Sequence, residues 1–197
     1  MSLKLRALLV NLLLFISFST KGEDLPVRVR SYSEAVDSPE NLTYAGQAVI
    51  LSTLMEKEKT KVDKEVVIAM LKAIDVNMPK FFPNGPFTRN DFIAIAWLES
   101  SFRQFEDGTH GEKGLFQIMP DEFESYYVNP KYFYGVNTNT KMAFRVLNGK
   151  YKIWHDYKKA IIAYNGVVRL KNGKWSEKYW KAFQKRKEKV DSVLPLK

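Results

Sequence analysis

The chain has 197 residues, of which 45% are apolar and 14% aromatic, so it can bury a hydrophobic core and is not a disordered polypeptide. It has no cysteine and only two histidines, which excludes a disulfide scaffold and a cysteine nucleophile and disfavours a zinc site. Its 31 basic and 22 acidic residues give a net charge of +9 at pH 7, which favours an anionic partner such as nucleic acid, acidic lipid or an acidic wall polymer.

Residues 1–22 predict a secretory signal peptide. Two basic residues precede an apolar run over 7–18, and small residues follow it, which is the order of a cleavable signal. The run is shorter than the roughly 20 residues that a membrane-spanning helix needs, although an uncleaved membrane anchor is the alternative interpretation. Cleavage is expected after Ser19 or after Gly22, and the sequence does not choose between them.

Removal of this segment takes away three basic and no acidic residues and leaves a net charge of +6. The lower charge and the export both weaken the nucleic-acid hypothesis, which would require retention in the cytoplasm. We therefore predict an exported protein, periplasmic or secreted, that does not bind nucleic acid and has no stable membrane span after cleavage. Residues 23–61 are predicted to be an N-terminal extension, which either packs on the following domain or links to it, and 62–197 to be that domain.

Two amphipathic helices come first after the signal. Apolar residues recur at helical spacing over 40–57 and again over 63–78, which is typical of helices with one buried face. The charged run over 56–64 is expected to be a solvated helix end or connector. Two prolines and an Asn-Gly pair over 81–87 then predict a turn.

The third predicted helix carries a carboxylate on an apolar face. Thr88, with Asp91 three residues later, is typical of a helix start, and the seven apolar residues over 92–98 predict a helix buried nearly all round. Glu99 follows on the same face as Ile95. A buried carboxylate is unfavourable unless it is paired or protonated, so Glu99 is a candidate proton donor with a raised pKa. The alternative is a half-exposed or salt-bridged glutamate at a helix end.

A glycine-rich loop is predicted after this helix. Gly108, Gly111 and Gly114 lie within seven residues, which excludes a helix there. The segment Gly-Leu-Phe-Gln-Ile-Met-Pro over 114–120 closes the loop, and its proline suits the first position of the next helix.

Two more helices are predicted toward the carboxyl terminus. The first covers 155–164 and ends at Ala163-Tyr164-Asn165-Gly166, with His155 at its start. The second, over 174–191, alternates lysines with aromatic residues and is expected to cover the core, or alternatively to be attracted to anionic wall polymers or lipid. The chain is therefore expected to be mainly α, with a short irregular, β-poor loop region after the helix that ends at Glu99.

Three of these segments together resemble the soluble lytic transglycosylase family, the bacterial relatives of goose-type lysozyme. They are Glu99-Ser100 with Phe102 after it, the segment over 114–120, and Ala163-Tyr164-Asn165. The separation of 18 residues between Glu99 and Gln117 also matches the family. The resemblance covers roughly 62–197 and implies a lysozyme-like helical domain.

This resemblance implies a peptidoglycan lytic transglycosylase, a lyase that cleaves the β-1,4 bond between N-acetylmuramic acid and N-acetylglucosamine and forms a 1,6-anhydromuramoyl product. Glu99 is then the catalytic residue. The implied substrate-binding residues are Ser100, Phe116, Gln117, Tyr164 and Asn165. Tyr164 is expected to hold either Glu99 or the acetamido group of the sugar. We expect peptidoglycan glycan strands as the partner, a monomer, and neither a metal nor a cofactor.

The chain departs from the family pattern in the glycine-rich loop. Phe116 replaces the usual methionine, and Gly108 lies where the family often has a serine, so a hydroxyl near the N-acetyl group is expected to be missing or shifted. Most glycosidases use two carboxylates. The candidates for a second one here are Glu106, Asp107 and Glu112, although these acids are most simply solvated loop charges.

Two other functions compete with the lytic one. In a hydrolytic muramidase, water would attack the same bond and leave a reducing end. A catalytically silent wall-binding module of a secretion or phage apparatus would bind the wall without cleaving it, and its Glu99 would be displaced from the groove.

Overall fold

The computed structural model describes residues 42–166 and 177–194. All of them belong to one compact unit, Asp37–Lys197. The predicted signal peptide over 1–22 and residues 23–41 of the predicted extension lie outside the described residues, so the domain boundaries stay predictions.

Seven α-helices account for most of the described residues. In chain order they are α1 (Tyr44–Lys57), α2 (Lys64–Phe81), α3 (Arg89–Ser100), α4 (Pro120–Glu124), α5 (Val136–Trp154), α6 (Tyr157–Tyr164) and α7 (Glu177–Asp191). Over 42–166 and 177–194 there is no β-strand, and two isolated bridges, both made by Lys113, order the loop between α3 and α4. The mainly α, lysozyme-like class predicted from the sequence is confirmed.

The first two helices pack against each other and differ from the prediction only at their ends. α1 begins after Thr43, whose side chain accepts a hydrogen bond from the backbone of Gly46. α2 continues three residues past the predicted end and contains Pro79 in its last turn, where the ring removes one helical N–H without ending the helix. The apolar residues of α1 join the same core as those of α2, so this part of the predicted extension packs on the helices that follow.

α3 is buried over most of its length. Every residue from Arg89 to Trp97 is buried, as the run of apolar residues predicts. The charged residues of its first turn are paired: Arg89 contacts Asp75 at 2.6 Å, and Asp91 accepts a hydrogen bond from the Tyr157 hydroxyl at 2.8 Å. Pairing of this kind offsets the cost of burying these charges, so the amino end of α3 is held in place from two sides.

Two helices that follow α3 in the chain cover it. α5 stacks Phe144 on Phe92 of α3 with a centroid separation of 3.7 Å and an interplanar angle of 4°. α7 buries Tyr179, Phe183 and Val190, which confirms that the basic tail covers the core. None of the helices in the described part of the chain is long and apolar enough to cross a membrane.

The junction between α5 and α6 corrects one prediction. His155 does not begin a helix: it ends α5 in a left-handed conformation with φ of 46°. α6 begins two residues later because the Asp156 side chain accepts a hydrogen bond from the backbone of Lys159 at 2.8 Å. α6 ends where predicted, at Tyr164, and Gly166 follows with φ of +81°.

The stack of Phe144 on Phe92 predicts a large loss of stability on truncation. Phe144→Ala removes a fully buried ring and leaves a cavity beside α3, so the free energy of unfolding should fall by about 3–5 kcal/mol. Ile153→Ala, an exposed position on the same helix, is the matched control and should change it by less than about 0.5 kcal/mol. Chemical denaturation of both variants measures the difference, and similar values for the two would contradict this packing.

Candidate active site

Glu99 lies in the last turn of α3, where the chain leaves the core. The helix ends abruptly because Ser101 and Phe102 adopt left-handed conformations, with φ of 55° and 63°. The Glu99 side chain is half-buried, and its Oε1 accepts a hydrogen bond from the Tyr179 hydroxyl of α7 at 2.5 Å. The carboxyl group is therefore held between two helices and does not point into bulk solvent.

The surroundings of Glu99 favour its protonated form. Burial raises the pKa of this carboxyl group from 4.5 to about 7. The hydrogen bond from Tyr179 lowers the pKa and the negative charge of Glu112 raises it, but both effects are smaller than that of burial. A carboxyl group with a pKa near neutrality can both give and take a proton, which is the requirement for a general acid and base.

Ser100 joins α3 to the loop that follows it. Its hydroxyl is buried and donates a hydrogen bond to the carbonyl of Leu115 at 2.7 Å. The Phe116 ring is also fully buried, 6.5 Å from the ring of Phe92. Both side chains are buried and make their contacts within the protein, so substrate binding by these two residues stays a prediction that their burial does not support.

Asn139 of α5 holds the same loop from the other side. Its Oδ1 accepts a hydrogen bond from the backbone N–H of Phe116 at 2.8 Å, and its Nδ2 donates to the carbonyl of Lys113, also at 2.8 Å. Gly114 lies so close that a Cβ there would be 2.7 Å from Asn139 Nδ2, and its φ is +77°. Only glycine suits that position, so the first glycine of the predicted motif has a local structural reason.

Gln117 is oriented by its own backbone and by the loop. Its φ of 47° turns the chain, and its Nε2 donates to the carbonyls of Glu106 at 3.1 Å and Gly114 at 2.9 Å. Both amide hydrogens are thus used within the protein. Toward a ligand, the half-buried side chain offers its oxygen, an acceptor for a hydroxyl or amide of a sugar.

Tyr164 and Asn165 lie at the end of α6. The Tyr164 hydroxyl donates to the carbonyl of Phe116 at 2.9 Å, and it donates to neither of the two partners expected for it, Glu99 or the acetamido group of the sugar. That carbonyl is a buried acceptor and takes the hydroxyl of Tyr164. Asn165 is exposed and caps α6, where its side chain faces solvent.

Tyr179 is the site residue that the sequence did not identify. In the sequence it is one of several aromatic residues of the basic tail, and in the structure its hydroxyl donates to Glu99. Its spacing of four residues from Phe183 does indicate a buried side chain, and a buried tyrosine hydroxyl needs a hydrogen-bond partner. The partner is 80 residues away in the chain, and no local pattern could identify it.

The three candidate second carboxylates are in different environments. Glu106 pairs with Arg103 at 2.5 Å, and Asp107 with Lys113 at 3.1 Å, so both are neutralised surface acids. Glu112 faces His110, whose side chain is 81% exposed, while that of Glu112 is only 24% exposed. Over the described part of the chain, histidines and acids form no group that could hold a metal ion.

The aromatic residues between α4 and α5 are divided between the core and the surface. Phe133 is buried and stacks on Phe123, with their ring centroids 4.2 Å apart. Tyr126, Tyr127 and Tyr132 are exposed. Core packing therefore accounts for only part of this cluster, and the exposed rings are available to contact a ligand.

Comparison with known proteins identifies one family. The family model described as "Transglycosylase SLT domain" matches residues 88–187, about half of the chain. The match begins at the start of α3 and extends into α7, so it contains both Glu99 and Tyr179. Searches of the curated proteins and of the solved structures find no match.

The raised pKa of Glu99 predicts a pH-dependent cost to stability. The stabilising contribution of the neutral group is complete below the unfolded pKa of about 4.5 and is lost as the pH rises through about 7. Glu99→Gln, which cannot ionise, should therefore be more stable than the wild type by up to about 3 kcal/mol at about pH 8, and equally stable at about pH 4. Denaturant unfolding at both pH values measures this difference. A difference that did not change with pH would contradict it.

The hydrogen bond from Tyr179 lowers the pKa of Glu99, so its removal should be visible in a titration. Because the bond favours ionised Glu99, Tyr179→Phe should raise the pKa of Glu99 further. Tyr164→Phe, which loses a hydrogen bond to Phe116 but none to Glu99, is the matched control and should leave the pKa in place. Carbon-13 NMR titration of the glutamate carboxyl groups distinguishes the two variants, and an unchanged Glu99 midpoint in Tyr179→Phe would contradict the assigned contact.

Proposed function

Because the chain belongs to the transglycosylase SLT family, whose members act on peptidoglycan, we propose that it is a lytic transglycosylase of the bacterial cell wall. Its substrate would be the β-1,4 bond between N-acetylmuramic acid and N-acetylglucosamine in the glycan strands. Its product would carry a 1,6-anhydromuramoyl end. The observation that carries this proposal is the half-buried Glu99 with its pKa near 7, beside the loop that orients Gln117.

In the first step, Glu99 gives its proton to the glycosidic oxygen. Since Tyr179 donates its hydrogen to Oε1, the transferable proton is on Oε2. The bond between the anomeric carbon and that oxygen then breaks, and the leaving sugar keeps both electrons and the proton. The 2-acetamido group of the muramoyl residue stabilises the cation that develops, so one protein carboxyl group is sufficient.

In the second step, the ionised Glu99 takes the proton of the muramoyl 6-hydroxyl, whose oxygen bonds to the anomeric carbon. This closes the anhydro ring, consumes no water and returns Glu99 to its protonated form. A group that acts first as an acid and then as a base works best when its pKa is near the ambient pH. The hydrogen bond from Tyr179 is compatible with both forms, because Oε1 accepts in each.

Substrate contacts are proposed for the groups that still face solvent. Gln117 offers its amide oxygen, and Asn165 lies exposed at the end of α6. Ser100, Phe116 and Tyr164 act through the loop beneath, since their polar or apolar groups are already used within the protein. The positive charge of the chain favours approach to the anionic wall.

Export is part of the proposal, because peptidoglycan lies outside the cytoplasm. The predicted signal over 1–22 would deliver the protein to the periplasm or the medium, and neither metal nor cofactor would be needed for the two proton transfers. A hydrolytic muramidase would share the first step and differ only in that water attacks the cation.

The test is Glu99→Gln assayed on purified peptidoglycan. The amide of the variant has no acidic proton to transfer, so the release of soluble fragments should fall by about 10²- to 10⁴-fold. Glu124→Gln removes the same charge from an exposed position in α4 and should retain wild-type activity. Undiminished release by Glu99→Gln would contradict the proposed mechanism.

Mass spectrometry of the wild-type products separates the candidate functions. Anhydromuramoyl ends are lighter than reducing ends by one water, and the proposal requires the lighter product. Reducing ends would identify a muramidase. Binding to peptidoglycan without the release of either product would identify a silent wall-binding module.

A further inference from the structure

Two side-chain oxygens of the glycine-rich loop converge beside Gly108. A Cβ atom on Gly108 would lie 2.1 Å from Glu112 Oε2 and 2.6 Å from Gln117 Oε1. Both oxygens therefore lie within 2.6 Å of one point, which is close enough for a single nitrogen atom to hydrogen-bond to both, since such bonds are about 2.9 Å long. A residue larger than glycine at 108 would displace both side chains.

The side-chain oxygen of Gln117 is an acceptor without a donor. Gln117 Nε2 donates to the carbonyls of Glu106 and Gly114, so turning the amide over would set its oxygen against those two carbonyls. The amide oxygen is thereby held toward Gly108. Within 42–166 and 177–194 no residue donates a hydrogen bond to this oxygen, and the half-buried side chain keeps it in contact with solvent.

Glu112 supplies a negative charge at the same point. Its Oε2 accepts a hydrogen bond from the backbone N–H of His110 at 2.9 Å, and its Oε1 is 3.3 Å from Nδ1 of the same residue. Partial burial alone would raise the pKa of Glu112, but hydrogen bonds from the backbone outweigh it and hold the pKa below the ordinary value. The carboxylate is therefore ionised at neutral pH. The other two acids of the loop, Glu106 and Asp107, are paired with cations.

Two converging acceptors, one of them charged, select a ligand by the number of hydrogens on its donor atom. A sugar hydroxyl or the N–H of an acetamido group carries one hydrogen and can satisfy only one of the two oxygens in full. A primary ammonium carries three hydrogens on one nitrogen, so it can donate to both oxygens and also neutralise the carboxylate. Water can donate twice, but it brings no charge, and charge-assisted hydrogen bonds are roughly twice as strong as neutral ones.

We propose that Glu112 and Gln117 form a binding site for a primary ammonium group of the substrate, and that Gly108 leaves the room for it. The ammonium is either the amine of a glycan sugar that has lost its acetyl group or an amine of the peptide attached to the glycan. The inference rests on the proposed function for the identity of the substrate. It deepens that function by adding a requirement for positive charge on an otherwise anionic polymer.

Binding of small probes tests the site without any cleavage. At about pH 6, where an amine is protonated, a glucosamine oligosaccharide and a lysine-containing peptide are each compared with their N-acetylated form by calorimetry. At least one free amine should bind about tenfold more tightly than its acetylated form, and the pair that shows the difference identifies the source of the ammonium. Because the chain has a net charge of +9, overall electrostatics oppose this preference. No preference in either pair would overturn the proposal.

Glu112→Gln keeps the size of the side chain and removes its charge. The preference for the free amine should disappear in this variant and persist in Glu124→Gln, which removes an equal charge from the exposed side of α4. Gly108→Ala is a second variant: the backbone at 108 is not in the left-handed region and tolerates alanine, while the new Cβ displaces both oxygens and should abolish the preference. A preference that survived in folded Glu112→Gln, or in Gly108→Ala if Glu112→Gln failed to fold, would overturn the proposal.

Cleavage supplies a readout that a merely structural role would not produce. Chemical N-acetylation of the amines of purified peptidoglycan should raise the KM of the wild type by about tenfold with kcat unchanged, because the contact is the same in the ground state and the transition state. Glu112→Gln should show the higher KM on both substrates. An equal KM of the wild type on both would overturn the proposal. If the wild type released no fragments from either substrate, the proposed function would fail, and the probe titrations would still decide the ammonium site.

Discussion

Removal of the Glu99 carboxyl group from water is the constraint on which the site depends. A carboxyl group at the end of a solvated helix would be ionised at neutral pH and could not donate a proton. Here the helix that carries it is buried from Arg89 to Trp97, and the group is enclosed where α3 meets α7. Burial raises the pKa of Glu99 to about 7, and the hydrogen bond from Tyr179 limits this rise. Near neutral pH the group can therefore both donate a proton and accept one.

The rest of the fold fixes the glycine-rich loop, which carries Gln117, relative to the end of α3 that carries Glu99. Ser100, the residue after Glu99, anchors the glycine-rich loop through the carbonyl of Leu115. Asn139 and Tyr164 then fix Phe116 from the opposite side, through its N–H and its carbonyl. These three hydrogen bonds join α3, α5 and α6 to one short segment, and Gln117 is the residue that this segment presents. The polar groups near Glu99 thus serve mostly to position backbone, and few are left for a ligand.

Much of this arrangement could be predicted from local sequence. Seven apolar residues before Glu99 imply burial, Pro120 marks the start of α4, and Gly166 the end of α6. The contacts that could not be predicted share a physical cause: each joins residues that are far apart in the chain and come together only in the folded structure. Tyr179 bonds a residue 80 positions away, and Tyr164 binds the Phe116 carbonyl in preference to Glu99. In the sequence, Glu112 does not differ from the other loop acids, because its proximity to Gly108 arises only from the conformation of the loop.

A titratable proton on Glu99 near neutral pH is the central claim, and it can be measured without substrate. In the wild-type protein, the carbon-13 signal of the Glu99 carboxyl group, assigned by its absence in Glu99→Gln, should titrate with a midpoint of about 7. A midpoint near 4.5, the ordinary value for a glutamate, would show a carboxylate that is already ionised in the resting protein and would contradict the account.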